Sequence, residues 1–185
     1  IYQQLQSANR TLTDLIAGTS LESFNFASNG SSEIATSFGV SGNYFKVLGV
    51  SALVGRTIEE SDEKPGAEPV AMISHAFWQR HFGGRLDVIN QPLRAFSTDR
   101  PLSGDVFTVV GVLPPDFWHL NAFTDILAPL TTPRLPSLAR LAPGVTIGDA
   151  TERLNAAARA AIPDASPEWR MGLVAVQDEY SRQIR

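Results

Sequence analysis

The chain has no cysteine and only three histidines among its 185 residues. The first absence excludes disulfides and thiolate metal sites. His75 and His81 lie six residues apart on one predicted helix, so they sit on different faces and cannot share a metal ion, and His119 is remote in sequence. An excess of positive charge is missing as well. Lys and Arg number 15 against 19 Asp and Glu, for a net charge of −4, and the basic residues are scattered. A nucleic-acid binder shows a basic stripe, and an anionic membrane surface attracts clustered lysines; neither pattern is present. The longest unbroken apolar stretch is about that of Val106–Leu113, far short of the roughly 18 residues that span a bilayer.

Signatures of catalysis are equally scarce. Gly39, Gly42, Gly49 and Gly55 do not form a dinucleotide-binding fingerprint, and no lysine follows Gly83-Gly84 as a phosphate loop requires. Ser74 and His75 are adjacent, so their side chains point apart, and no nucleophile elbow surrounds them. Ser74 reads instead as a helix cap. The acidic run Glu59, Glu60, Asp62 and Glu63 lacks the spacing of a calcium loop and suits the start of a short helix, where negative charge favours the helix dipole. Trp78, Trp118 and Trp169 are too far apart in sequence to define an aromatic site and read as packing residues.

What is present is a chain able to fold. It is 43% hydrophobic and 18% charged, enough to bury a core. Residues 1–18 read as an amphipathic helix, with Tyr2, Leu5, Leu12, Leu15 and Ile16 toward one face and Gly18 as its stop. The chain begins abruptly inside that helix, which suggests a piece of something longer. Two strands follow around Asn29-Gly30, the strongest short hairpin signal. Ser41 is placed to cap a short helix through Leu48, ended by Gly49, and Thr57 with Glu60 resembles a capping box. Val70–Ile73 reads as a strand feeding a helix capped by Ser74 and ended by Gly83-Gly84. Strands are expected within 87–96, 105–113, 125–130 and 137–142. Thr146 and Asp149 open the clearest helix, which Pro163 ends, and residues 171–178 read as a final strand. The order of elements indicates an α+β fold.

Four blocks in order, VSGNYFKVLGVSALVGRTI, PVAMISHAFWQRHFGG, FTVVGVLPPDF and ARLAPGVTIGDATERLNAAARAAIP, resemble the MacB-like periplasmic core domain of ATP-binding-cassette transporter permeases. Together they cover most of the chain from Phe38 to Ile162. The short Asn29-Gly30 hairpin is similar to that of the duplicated orphan permease group. The resemblance implies two lobes: a porter-like lobe from residues 1–50 and 134–185, with helix 1–18 continuing from a membrane helix, and an inserted small α/β lobe from 51–133. It implies a non-catalytic extracytoplasmic domain on the periplasmic face of the inner membrane. That domain couples membrane-helix motion to export or release of a substrate, with ATP bound by a separate cytoplasmic ATPase and no cofactor of its own. The alternative is a regulatory module that engages a periplasmic partner protein, for which Phe117, Trp118 and Phe123 are the candidate contacts. A small enzyme built on Ser74 or His75 is the least favoured reading.

Overall fold

The structure, a computed structural model, describes residues 12–20, 24–28, 31–97, 104–117, 124–130, 138–161, 166, 168 and 170–176. In chain order its elements are β1 (Leu12–Ile16), β2 (Gly18–Ser20), β3 (Phe24–Ser28), β4 (Ser31–Ala35), β5 (Ser37–Val40), α1 (Tyr44–Leu48), β6 (Val54–Gly55), β7 (Val70–Ile73), α2 (His75–Phe82), β8 (Pro92–Ser97), β9 (Gly104–Val112), β10 (Ile126–Pro129), β11 (Leu138–Leu141) and α3 (Ile147–Ala161). The chain divides into two compact units. One is residues 1–15 with 133–185, and the other is residues 16–132. This grouping differs from the expected division at 50/51, in that residues 16–50 go with the middle of the chain.

The reason for that grouping is hydrogen bonding. The middle unit is built on one mixed sheet ordered β2-β5-β10-β7-β9-β8-β3-β4, with β6 also paired to β9. β3 pairs with β8, and β5 pairs in parallel with β10, so the N-terminal strands are laddered to the segment once expected to stand apart. The predicted hairpin forms, with Ser28 opposite Ser31 and the Asn29-Gly30 link itself outside the described residues. Its return strand is broken in two at Thr36. β4 and β5 therefore lie far apart in the strand order yet only one residue apart in the chain.

Strands β5, β10 and β7 are buried along their whole length. Being covered on both faces, β7 and β10 read in sequence as unbroken apolar runs rather than alternating ones. A core of Ile73, Val88, Leu93, Val109, Val112 and Ile126 receives Phe77 and Trp78 from α2. That helix starts where the sequence placed it. Ser74 Oγ accepts the Phe77 N–H at 3.1 Å, and Gly83 ends the helix at φ 59°. α1 is capped differently from expectation. Asn43, not Ser41, is its N-cap residue, and Ser41 is buried and used elsewhere. The expected capping box at Thr57 is also shifted by two residues: the 3-10 turn Glu60–Glu63 begins after Glu59, whose N–H donates to Asp62 Oδ2 at 2.8 Å.

The terminal unit has a two-stranded sheet of β1 and β11 and the long helix α3. Here the sequence reading needs correction. Helix 1–18 was expected to run through Ile16, but Leu12–Ile16 is a strand, with residues 1–11 outside the described residues. Thr13 Oγ1 donates to the Arg140 carbonyl at 3.4 Å and Arg140 Nε to Asp14 at 3.2 Å, so pairing with a segment 126 residues away overrides a local helical period. α3 starts as expected, with Thr146 Oγ1 accepting the Asp149 N–H; Ala150, Leu154 and Ala158 are buried along one face, Ile147 is exposed, and the expected stop at Pro163 lies outside the described residues. The expected final strand at 171–178 makes no ladder over its described part. Instead Asn155 grips Met171, accepting its N–H and donating to its carbonyl, both at 2.8 Å.

Candidate functional site

The stretch from Val40 to Ile58 holds no chemistry of its own, and its geometry explains its composition. Ser41 is fully buried; its Oγ accepts the Ala17 N–H at 3.0 Å and donates to Asn43 Oδ1 at 2.8 Å, while its own N–H donates to the Ala17 carbonyl at 2.9 Å. Val40, just before it, is paired with Gly18 of β2 on one side and Pro129 of β10 on the other. The Leu130 N–H donates to the Val40 carbonyl at 2.9 Å. β2 is where the chain enters the middle unit, and β10 is where it leaves. Both connections therefore start from one level of the sheet, two strand spacings or roughly 10 Å apart.

Beyond this stem, Tyr44 and Phe45 are buried and meet edge to face at 5.4 Å. Gly42 lies so close to the acidic turn that a Cβ there would stand 2.5 Å from Glu60 Cα. Gly55 and Gly111 let two strands touch at the bulge in β9, where Val110 has no partner in β7. The acidic residues at 59–63 are fastened rather than free. Asp62 forms a two-pronged pair with Arg56, at 2.7 and 2.9 Å. Burial pushes its carboxyl up, but the hydrogen bonds from Arg56 and Glu59 outweigh this and hold it below the usual range. Glu63 goes the other way. Its burial, with help from the charge of Glu60, raises its carboxyl against the lowering hydrogen bond from the Gly42 N–H.

Of the three residues proposed to contact a partner, Phe117 is half-buried and its ring lies 5.9 Å from that of Phe45, so part of it belongs to the packing under the stem. Trp118 and Phe123 lie outside the described residues. Ser74 is occupied as a cap, the His75 ring rests against Trp78 at 5.6 Å, and that of His81 against Phe77 at 4.3 Å. Among the described residues no cluster of three His, Asp or Glu could hold a metal ion, and no helix is long and apolar enough to cross a membrane.

The polar centre that sequence reasoning missed is Asp125. Its carboxylate accepts the Thr36 N–H at 3.1 Å and the Thr36 hydroxyl at 3.3 Å through Oδ2, and Arg80 at 3.2 Å through Oδ1. Its carbonyl accepts the Ser74 N–H at 2.8 Å. The available signal was slight: one polar residue inside an apolar strand pattern, and one acid directly before Ile126-Leu127-Ala128.

The fold is shared with solved domains of transporters. The structure is similar to the periplasmic region of MacB from Actinobacillus actinomycetemcomitans, with a TM-score of 0.65 and 15% identity over 97% of this chain and 78% of that one. It is similar to a domain of a putative permease protein from Porphyromonas gingivalis, with a TM-score of 0.61 and 18% identity over all of this chain and 85% of that one. It is also similar to the extracellular domain of the noncanonic ABC-type transporter YknZ from Gram-positive bacteria, at 0.52 and 17% over 69% and 60%. No curated protein sequence matches the chain at a significant level. The sequence profile of the MacB-like periplasmic core domain matches residues 3–157, most of the chain, and the chain belongs to that family. It is the extracytoplasmic domain of an ATP-binding-cassette transporter permease.

Proposed function

We propose that this domain is a non-catalytic relay that couples movement of the permease's membrane helices to rearrangement outside the membrane, and so to export or release of a substrate. The observation that carries the reading is the stem. Both covalent connections to the middle unit are anchored at Val40, through Gly18 and Pro129, so a displacement of the terminal unit's chain ends is delivered to one place in a continuous hydrogen-bonded sheet. A sheet with a tightly packed core transmits displacement as a body instead of absorbing it. In this reading the terminal unit is the porter-like lobe beside the membrane, ATP is hydrolysed by a cytoplasmic ATPase, and the domain carries no cofactor.

The test uses the full permease with its ATPase in lipid. The lack of cysteine in this domain permits clean labelling. Spin labels at Lys46→Cys in the middle unit and Arg153→Cys in α3 report the distance between the units with and without a non-hydrolysable nucleotide. The relay requires that this distance change with nucleotide state. An unchanged distance in a permease whose ATPase is shown to bind nucleotide would overturn it, and would favour a static module that engages a periplasmic partner.

A further inference from the structure

Thr36 is the single residue between β4 and β5. The last pair of β4 with β3 is Ala35 with Phe24, and the first pair of β5 with β10 is Ser37 with Ile126. Between them, Thr36 bonds to Asp125 through its backbone and its hydroxyl. The Thr36 N–H and hydroxyl donate to Asp125 Oδ2, the Asp125 N–H is shared between the Thr36 carbonyl at 3.0 Å and hydroxyl at 3.2 Å, and the Ile126 N–H donates to the same carbonyl at 3.1 Å. The second carboxylate oxygen holds Arg80, whose guanidinium stands 5.6 Å over the Phe77 ring on α2. The side chain of Asp125 is 17% exposed, so these bonds are partly shielded from water. One carboxylate thus joins the seam of the sheet to the helix that packs on its core.

The parallel ladder of β5 with β10 is four pairs long. It is stapled at its far end by Leu130 on Val40 and at its near end by Asp125 on Thr36. We infer that Asp125 is a latch on this ladder: with its carboxylate in place the β5–β10 pairing is held, and with it released that seam opens while the ladders of β7, β9 and β8 stay folded. Two features support a local opening. The ladder is short, and parallel pairing is slightly weaker per residue than antiparallel pairing. The neighbouring strands β7 and β9 are held by their own ladder and by the buried core around Phe77 and Trp78, to which β10 gives Ile126 but β5, among the described residues, gives nothing. The inference concerns the chain alone and stands whether or not the domain relays motion.

The experiment is residue-resolved amide hydrogen exchange on the 185-residue chain, comparing it with Asp125→Asn, Thr36→Val and Arg80→Gln. Asp125→Asn keeps the shape but loses the charge, and a hydrogen bond to a charged group is the stronger kind, so exchange at the amides of Thr36–Val40 and of Ile126, Leu127, Ala128 and Leu130 should rise about tenfold or more. Thr36→Val and Arg80→Gln should raise the same segments by less. The amides of Ala71 and Val109 in the centre of the sheet should keep their rates. Two results would overturn the latch: unchanged exchange at the seam in Asp125→Asn, or an equal rise at the seam, Ala71 and Val109. Should Asp125→Asn fail to fold, the same comparison in Thr36→Val decides, because that change removes the hydroxyl's bonds to Asp125 and leaves the carboxylate and Arg80 in place.

Discussion

Replacing Gly55 by alanine isolates the closeness on which the stretch after α1 depends. Gly55 has φ 77°, and an alanine Cβ there would lie 2.2 Å from the Val110 carbonyl oxygen and 2.8 Å from Ile89 Cδ1. The left-handed backbone alone disfavours alanine by about 1–2 kcal/mol. The clash is with backbone, so β6 must move off β9. Two hydrogen bonds hold it there, Leu53 N–H to the Val112 carbonyl and Arg56 N–H to the Val110 carbonyl, both at 2.8 Å. Each contributes about 0.5–1.5 kcal/mol net, so the expected loss is about 2–5 kcal/mol in all. For a chain of this size that is a fall in Tm of roughly 4–20 °C. Gly66 supplies the control. It has φ 84° but nothing within 4 Å of an added Cβ, so Gly66→Ala carries the backbone strain without the collision. Urea unfolding of both variants, followed by tryptophan fluorescence, measures the difference. If Gly55→Ala and Gly66→Ala lose the same stability, close approach at the bulge is not what the glycine is for.

Removing Ser41 Oγ by Ser41→Ala leaves the Ala17 N–H buried without that acceptor, and should lower stability by about 1–3 kcal/mol in chemical denaturation. Phe45→Ala should remove about 3–5 kcal/mol because Phe45 is fully buried, and Phe117→Ala distinctly less; an equal loss would make Phe117 a core residue and withdraw it as a partner contact. Asp62 and Glu63 should respond to pH with opposite signs, measured as Tm against pH for Asp62→Asn and Glu63→Gln. The carboxyl of Asp62 is lowered on folding, so its stabilisation is present above its ordinary value of 3.8 and is lost as pH falls through that region; Asp62→Asn is then less stable than the parent at neutral pH and converges with it in acid. The carboxyl of Glu63 is raised, so its contribution is present below its ordinary value of 4.5 and is lost as pH rises; Glu63→Gln should be the more stable at neutral pH, and the gain should vanish in acid.

Much of the fold was legible because it is set by local rules. The Ser74 cap, the glycine stops at Gly49 and Gly83, the Asn29-Gly30 hairpin and the Thr146 start of α3 each depend on a few adjacent residues and the backbone angles they permit. The buried strands β7 and β10 announced themselves as short apolar runs. Two of the four blocks that carry the family resemblance hold glycines where close packing leaves no room for a side chain, Gly42 and Gly55 in the first and Gly111 in the third.

Pairing between distant segments was not legible, because nothing in a local period states what will lie beside it. Leu12–Ile16 has residues that suit a helix, and only β11, more than 120 residues away, makes it a strand. Residues 18–40 look like the start of one lobe, and only their ladders to β8 and β10 assign them to the other unit. Ser41 looks like a helix cap until Ala17 arrives to take its hydroxyl. Asp125 and Thr36 stand 89 residues apart, and each alone is an ordinary polar residue at a strand end. The sequence by itself determined most of the elements, the caps at Ser74 and Thr146, and the family. Tertiary structure decided which strands are neighbours, and with that the stem at Val40 and the seam at Thr36, because a backbone hydrogen bond is the same whatever side chains flank it.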